Sequence, residues 1–259
     1  MRWALKVYYD GRYFFGSQRQ PDKRTAEGEL LDSLGKLNID VSDFKSSCRT
    51  DRGVSALGNV FVLSSNSRII PSAINSTLPD DMKVLGVRKV DSSFNPRYEA
   101  HGKAYKYFLY DEGYKLSKMK KASEAFIGEH NFHNFAKLEG RNPIRSIKSI
   151  EIEKIGDFFV FTISGKSFLY QMVRRMVSAM KTVGDGLMAP AEIKKLLNPK
   201  HDNIINPLPP ENLVLWEVEY PFEIGHDEYS VKRLKKDILK RQVEMKRKTL
   251  LNELLLGEI

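Results

Sequence analysis

The sequence has little of what marks several large classes of protein. Its 259 residues include one cysteine, Cys48, which excludes an intramolecular disulfide and a cluster of thiolates around zinc. It also contains no run of eighteen apolar residues and no apolar leader at its start. We therefore expect no membrane span and a cytoplasmic location.

Signatures of bound metals and cofactors are equally scarce. Among the five histidines only His130 and His133 lie close together, and no third ligand is evident near them. The stretch Gly184-Asp185-Gly186 follows a predicted helix instead of opening one, so it is not a nucleotide-binding loop. We expect neither a metal nor a cofactor.

Positive charge, in contrast, is abundant. The chain has 42 basic and 33 acidic side chains, a net charge of +9 and a pI near 9.4, which suits a polyanionic partner. Between Lys232 and Lys248 there are nine basic and two acidic residues. This stretch is either the solvated face of a helix or, as we favour, an arm that contacts RNA phosphates without regard to sequence.

The order of predicted strands and helices indicates an α+β fold. Trp3, Leu5, Val7 and Tyr9 alternate with other residues, as in a half-buried strand. We predict two α/β layers with mixed, mainly antiparallel sheets and a cleft between them. The predicted units are an N-terminal domain (1–102), a C-terminal domain (103–225) and a basic C-terminal helix (226–259). Further strands are predicted at 44–47, 59–63, 84–87, 104–110, 147–152, 158–163 and 213–220, and helices at 25–38, 71–78, 118–126, 168–184 and 228–256.

The helix predicted to begin near Phe168 carries a continuous apolar stripe. Its residues recur at the spacing of one helix face, so they belong to the core. Arg174 and Arg175 lie off this stripe, which lets one of them point toward a cleft. The stripe consists of Leu169, Met172, Val173, Met176, Val177 and Met180.

A short polar loop, residues 48–56, lies between two predicted strands. It places Asp51 between Arg49 and Arg52, and we expect these two cations to lower the pKa of the Asp51 carboxyl group. Gly53 suits a turn that brings the backbone close to a ligand. Taken alone, an ordinary Asp-Arg-Gly turn explains the loop at least as well as a catalytic site does.

Residues 49–56, Arg-Thr-Asp-Arg-Gly-Val-Ser-Ala, resemble the catalytic signature of the TruA family of tRNA pseudouridine synthases. Four other stretches are similar to that family and follow its order along the chain. Five collinear matches make an accidental likeness improbable. The four stretches are 9–20, Phe94-Asn95-Pro96-Arg97, Lys103-Ala104-Tyr105-Lys106-Tyr107 and 165–177.

Several positions depart from the bacterial pattern of the family. Cys48, Arg52 and Ser55 stand where bacterial members usually have other residues, which is closer to archaeal and eukaryotic forms. Ser17 replaces a common tryptophan and Arg175 a usual asparagine. No catalytic group is lost, but the range of target nucleotides can differ.

The resemblance implies a cofactor-free isomerisation. A uridine of the tRNA anticodon stem-loop, at position 38, 39 or 40, becomes pseudouridine when its base is detached from C1′ and rejoined through C5. The target base must be flipped out of its stack. The resemblance also implies the pseudouridine synthase fold and a homodimer.

The same resemblance assigns roles to individual residues. Asp51 is the catalytic carboxylate, which either attacks as a nucleophile, at the sugar or at the base, or assists departure of the base, and Arg174 pairs with it. Tyr105 stacks on the uracil and helps to remove the C5 proton, although a lone strand tyrosine would ordinarily be a packing residue. Arg49 fills the space that the base vacates. Leu169 and Met172 border the base or, as we favour for residues of the stripe, are structural. Gln18, Arg12, Arg19, Lys23 and Arg24 are expected to contact RNA.

Two other functions are compatible with parts of this pattern. A basic α+β RNA-binding module without catalysis would show the same charge, but it would not need Asp51, Tyr105 and Arg174 together. A carboxylate-dependent glycosidase would need a second acid to protonate its leaving group. No such acid stands out near Asp51.

Overall fold

The computed structural model describes residues 1–258 as nine strands, six α-helices and a few short 3₁₀ turns. The strands are β1 (Arg2–Tyr9), β2 (Ser42–Ser46), β3 (Ser55–Ser64), β4 (Met82–Val90), β5 (Gly102–Tyr110), β6 (Gly128–Asn131), β7 (Ile144–Ile155), β8 (Phe158–Gly165) and β9 (Leu213–Glu219). The helices are α1 (Ala26–Lys36), α2 (Pro71–Thr77), α3 (Leu116–Ser123), α4 (Met172–Gly184), α5 (Pro190–Leu196) and α6 (Glu228–Glu258).

All nine strands belong to one sheet, with the order β4-β1-β3-β9-β5-β8-β7-β6 and with β2 paired to β3. Every pair is antiparallel except β3 with β9, where Ser55 and Ala56 lie beside Val214 and Leu215. This confirms the predicted α+β class and its mainly antiparallel pairing. The two separate sheets that we expected are instead one, because β9 lies between β3 and β5 and joins the two halves.

The helices pack in two groups on this sheet. In the N-terminal half, α2 and α6 contact β4, and α1 packs on α2. In the C-terminal half, α3 contacts β7, α4 contacts β5, and α5 packs on α3. Thr25 caps α1, as its position predicts, by accepting a hydrogen bond from the Gly28 amide at 3.2 Å. The residues of the predicted stripe other than Leu169 lie in α4, and they are buried.

Helix α4 begins at Met172, four residues later than predicted. Gln171, just before it, has a left-handed backbone with φ +62°, which a right-handed helix does not admit. Residues 166–171 therefore form a connecting segment between β8 and α4. The apolar spacing alone could not show this, because Leu169 is buried next to the helix without being part of it.

Helix α6 differs from the others in how little of it is covered. Its first turns bury Ser230 and Leu234, and Arg241 binds Asp10 and Tyr8, each at 2.9 Å. Every residue from 245 to 258 is exposed. In the part of the chain that the structure describes, this helix included, no helix combines the length and hydropathy needed to cross a membrane.

Candidate active site

The loop that carries Asp51 is held by the segment that follows β1. The Ser17 amide donates to the Thr50 carbonyl oxygen at 3.1 Å, and the Thr50 amide donates to the Ser17 hydroxyl at 2.8 Å. Gly16 has φ +95°, and a Cβ atom there would lie 2.9 Å from the Thr50 carbonyl oxygen. A glycine is needed at this close approach.

Behind the loop, buried polar side chains bind it to the sheet. The Tyr9 hydroxyl shares a 2.8 Å hydrogen bond with the Thr50 hydroxyl. The Asn59 amide donates to Tyr9 Oη at 3.0 Å and to the Cys48 carbonyl oxygen at 3.1 Å. Because Tyr9 and Asn59 are completely buried in β1 and β3, the network fixes the loop on two rigid strands.

The Asp51 carboxylate meets Arg174 from the other half of the molecule. Arg174 Nη1 lies 3.1 Å from Asp51 Oδ2, and Arg174 Nε donates to the Leu208 carbonyl oxygen at 2.6 Å. Only 8% of Arg174 is exposed. Helix α4 and the 208 segment thus aim the guanidinium group at the loop, and Asp51 and Arg174 lie together, as the family resemblance implies.

Burial raises the pKa of Asp51 above its ordinary value, and the charge and hydrogen bond of Arg174 only partly oppose this. The predicted lowering of this pKa by Arg49 and Arg52 is wrong. Arg49 is exposed to solvent, and the Arg52 guanidinium group lies over the ring of Phe15 at 4.4 Å. Within residues 1–258, the cation that pairs with the carboxylate is Arg174, which comes from 123 residues further along the chain.

Tyr105 lies in β5 beside the same loop. Its hydroxyl oxygen is 2.9 Å from the Cys48 sulfur, and its ring packs edge-to-face on Phe168 with centroids 5.0 Å apart. Burial raises the pKa of Tyr105 well above its usual value, with further contributions from Cys48 and from the negative charge of Asp51. The hydroxyl group is therefore protonated at neutral pH.

The remaining predicted site residues surround this centre less closely. Leu169 is buried in the segment that also supplies Phe168, and Gln18 and Arg19 are exposed on the segment that holds the loop. Arg12 is exposed but pairs with Asp10, and Arg24 pairs with Glu29 and Asp81. The charges of Arg12 and Arg24 are thus partly compensated.

Three groups at the centre were not identified from the sequence. Cys48 contacts Tyr105, Phe168 packs on it, and the Leu208 carbonyl group holds Arg174. Phe168 had a usable signal, since it is an aromatic residue within the stretch 165–177. The other two contacts join distant parts of the chain and have no local signature.

Metal-binding side chains do not gather in this structure. Within residues 1–258 no group of three or more His, Cys, Asp or Glu side chains has an arrangement that could hold a metal ion. His130 lies in β6, and His133 begins the short 3₁₀ turn after it. The centre around Asp51 offers a carboxylate, a guanidinium group, a phenol and a thiol.

Comparisons with known proteins agree with this chemistry. A family model described as tRNA pseudouridine synthase matches residues 122–221. The chain is 45% identical over 251 residues to a protein of Thermococcus sibiricus named tRNA pseudouridine synthase A, a match that covers 93% of each chain. The protein of the same name from Pyrococcus furiosus is 43% identical, over 93% of this chain and 92% of the relative.

A solved structure, the crystal structure of a Cbf5-Nop10-Gar1 complex, is more remote. It shares 16% identity with this chain, covers 69% of this chain and 45% of its own, and has a TM-score of 0.38. That TM-score is too low to support a conclusion about the fold.

Proposed function

Since the chain belongs to the tRNA pseudouridine synthase family, we propose that it converts uridine to pseudouridine in the anticodon stem-loop of tRNA, at positions 38, 39 and 40. Family membership makes the chain an isomerase that acts on tRNA; the positions rest on the resemblance of its motifs. The observation that carries the proposal is the ion pair between Asp51 and Arg174, at 3.1 Å. It presents one ionisable carboxylate, which is what this isomerisation needs.

In the proposed reaction Asp51 is the nucleophile. The bond between C1′ and N1 breaks, the detached uracil turns, and a bond between C1′ and C5 forms. The C5 proton leaves, N1 takes up a proton, and the bond that Asp51 makes to the substrate is broken again before release. No atom is gained or lost overall, so no oxidant or group donor takes part. The raised pKa makes Asp51 a stronger nucleophile than an ordinary aspartate, and Arg174 keeps it ionised where an unpaired charge would be costly.

Tyr105 and Arg49 complete the proposed site. The ring of Tyr105, held by Phe168, stacks on the flipped uracil, and its hydroxyl group takes part in removing the C5 proton. Since this hydroxyl is protonated at neutral pH, it must give up its own proton as it accepts another. Arg49, exposed beside the Asp51 loop, takes the place that the base leaves in the stack.

The rest of the tRNA is held by charge and shape in this proposal. Gln18 and Arg19 are exposed next to the loop, and the nine basic residues between Lys232 and Lys248 give α6 the character of an arm for phosphate contacts. Arg241 links that arm to Asp10, and thereby to Arg12. From the resemblance we also propose a homodimer and a cytoplasmic location.

The rival function, an RNA-binding module without catalysis, is less well supported. Binding RNA does not require a carboxylate that is mostly buried against an arginine of another element, and burying such a pair is costly. The arrangement is explained if the carboxylate reacts with a substrate.

A map of modified positions tests this function. Unmodified tRNA is incubated with the native protein or with Asp51→Asn, and pseudouridines are located by carbodiimide labelling and primer extension. We expect new pseudouridines at positions 38 to 40 with the native protein only. Bound but unmodified tRNA in both reactions would instead establish the binding module, and modification confined to another arm of the tRNA would overturn the proposed positions.

A further inference from the structure

The carboxylate of Asp10 joins the C-terminal helix to the beginning of the chain. Asp10 directly follows β1, and only 6% of its side chain is exposed. Its Oδ2 atom accepts a hydrogen bond from Arg241 Nη1 at 2.9 Å, and the same guanidinium group donates to the Tyr8 hydroxyl at 2.9 Å. Because 231 residues separate Asp10 from Arg241 along the chain, this contact exists only in the folded protein.

A second arginine binds the same carboxylate. Arg12 Nε donates to Asp10 Oδ1 at 2.8 Å, and the Arg12 amide donates to the same oxygen at 3.3 Å. These bonds fix the short 3₁₀ turn Gly11–Tyr13 on Asp10. Burial alone would raise the pKa of Asp10, but the two guanidinium groups hold it below its ordinary value. Asp10 is therefore ionised at neutral pH and binds Arg12 and Arg241 at the same time.

The turn Gly11–Tyr13 is packed directly against the loop that carries Asp51. The Gly11 amide donates to the Ser55 hydroxyl at 2.9 Å. A Cβ atom on Gly11 would lie 2.1 Å from the carbonyl carbon of Val54, so the two backbones touch at a point where only glycine fits. The turn therefore cannot shift without moving this end of the loop.

Arg241 lies near the end of the covered part of α6. Ser230 and Leu234 are buried in the first turns of this helix, whereas every residue from 245 to 258 is exposed. Arg241 is thus placed between the exposed part of the arm, which the proposed function assigns to RNA, and the turn that supports the loop.

We propose that Asp10 and Arg241 are positioning residues that couple the C-terminal arm to the Asp51 loop. This inference rests on the proposed function and extends it, because there the arm only adds affinity for tRNA. With Arg241 bound, the turn Gly11–Tyr13 holds the loop in its reactive geometry. Without Arg241, Asp10 keeps Arg12 as a partner, so the protein folds but the loop opens more often. The arm therefore contributes to the rate at which bound tRNA reacts.

The test compares two substitutions of the same kind on α6. Arg241→Gln and Arg247→Gln each remove one charge from an arginine that pairs with a carboxylate, but the partner of Arg247 is Glu244 of the same helix. The melting temperatures of both variants are measured first. Hydrogen–deuterium exchange of residues 48–56 is then followed without tRNA. We expect exchange at least about threefold faster in Arg241→Gln than in Arg247→Gln, and partial recovery in Arg241→Lys.

Single-turnover tritium release from C5-labelled tRNA, at saturating protein, gives a second measurement. The rate constant of Arg241→Gln should be about tenfold below that of Arg247→Gln, while the Kd values of the two variants for tRNA differ by less than about twofold. A loss in Arg241→Gln that appears in Kd alone would overturn the coupling.

The exchange measurement separates this inference from the proposed function, because it needs no activity. Equal exchange of residues 48–56 in Arg241→Gln and Arg247→Gln would overturn the coupling even if the native protein modifies tRNA. Absence of tritium release by the native protein would contradict the proposed function, and faster exchange in Arg241→Gln would still establish the link between the arm and the loop.

Discussion

The two halves of the molecule contribute unlike parts to the candidate site. The N-terminal half supplies a carboxylate on a loop that hydrogen bonds from Ser17, Tyr9 and Asn59 hold in place. The C-terminal half supplies a buried guanidinium group and an aromatic pair, placed by the packing of α4 and β5. The N-terminal half fixes the position of the Asp51 carboxylate, and the C-terminal half decides its charge and the side chains that surround it.

Substitution of Arg174 is the most sensitive test of these different contributions from the two halves. Arg174→Met should lower turnover by more than about 100-fold and move the acid limb of the pH–rate profile to higher pH. The reason is that Arg174 is the group that lowers the pKa of Asp51 against the effect of burial. Arg174→Lys keeps the charge and should restore part of the activity. An unshifted acid limb in Arg174→Met would show that this cation does not control Asp51.

Substitutions of Tyr105 separate the role of its ring from the role of its hydroxyl group. Tyr105→Phe keeps the ring against Phe168 but removes the hydroxyl group, so kcat should fall about 100-fold with little change in the Kd for tRNA. Tyr105→Leu should lose both kcat and affinity. Single-turnover kinetics with separate binding measurements distinguish these outcomes, and equal kcat in the Phe variant and the native protein would remove the hydroxyl group from the mechanism.

The sequence could predict the features of the fold that depend on neighbouring residues, but not those that depend on contacts between distant segments. Alternation in β1 and the Thr25 cap of α1 are decided within a few residues, and the structure has both. The position of β9 between β3 and β5 depends on pairing between distant segments, which no periodicity records.

The candidate site also has some features that the sequence could predict and others that it could not. Asp51, Tyr105 and Arg174 were found by family resemblance, and the structure places Arg174 against Asp51 and Tyr105 close enough to feel its charge. The pKa of Asp51 was predicted in the wrong direction, because charge order along the chain does not show where long side chains point. Burial of the loop, which dominates this pKa, arises only from the complete fold.

The pH dependence of thermal stability, compared between the native protein and Asp51→Asn, tests the pKa of Asp51 independently of catalysis. Because the pKa of Asp51 is raised in the folded protein, ionisation costs native stability as pH rises from the ordinary value of 3.8 through the raised one. Asp51→Asn does not titrate. Its Tm relative to the native protein should therefore rise between pH 4 and pH 7. A Tm difference that shrinks over this interval would mean that the folded-state pKa is lowered.

Cys48 should show the smallest effect. Its sulfur contacts the Tyr105 hydroxyl at 2.9 Å, so Cys48→Ala should reduce kcat about threefold and leave tRNA binding unchanged, as loss of one weak hydrogen bond would. Cys48→Ser keeps a hydrogen-bonding group and should retain nearly full activity. Equal losses in the Ala and Ser variants would assign the effect to packing.

The central claim is that the Asp51 carboxylate performs the bond-breaking step. The other residues of the site hold this carboxylate in position and surround it. Tritium release from C5-labelled uridine in tRNA, measured in a single turnover with the native protein and with Asp51→Asn, tests it most directly. We predict that the native protein releases tritium and that Asp51→Asn, binding tRNA equally well, is slower by more than about 1,000-fold. Release at the native rate by Asp51→Asn would contradict the account.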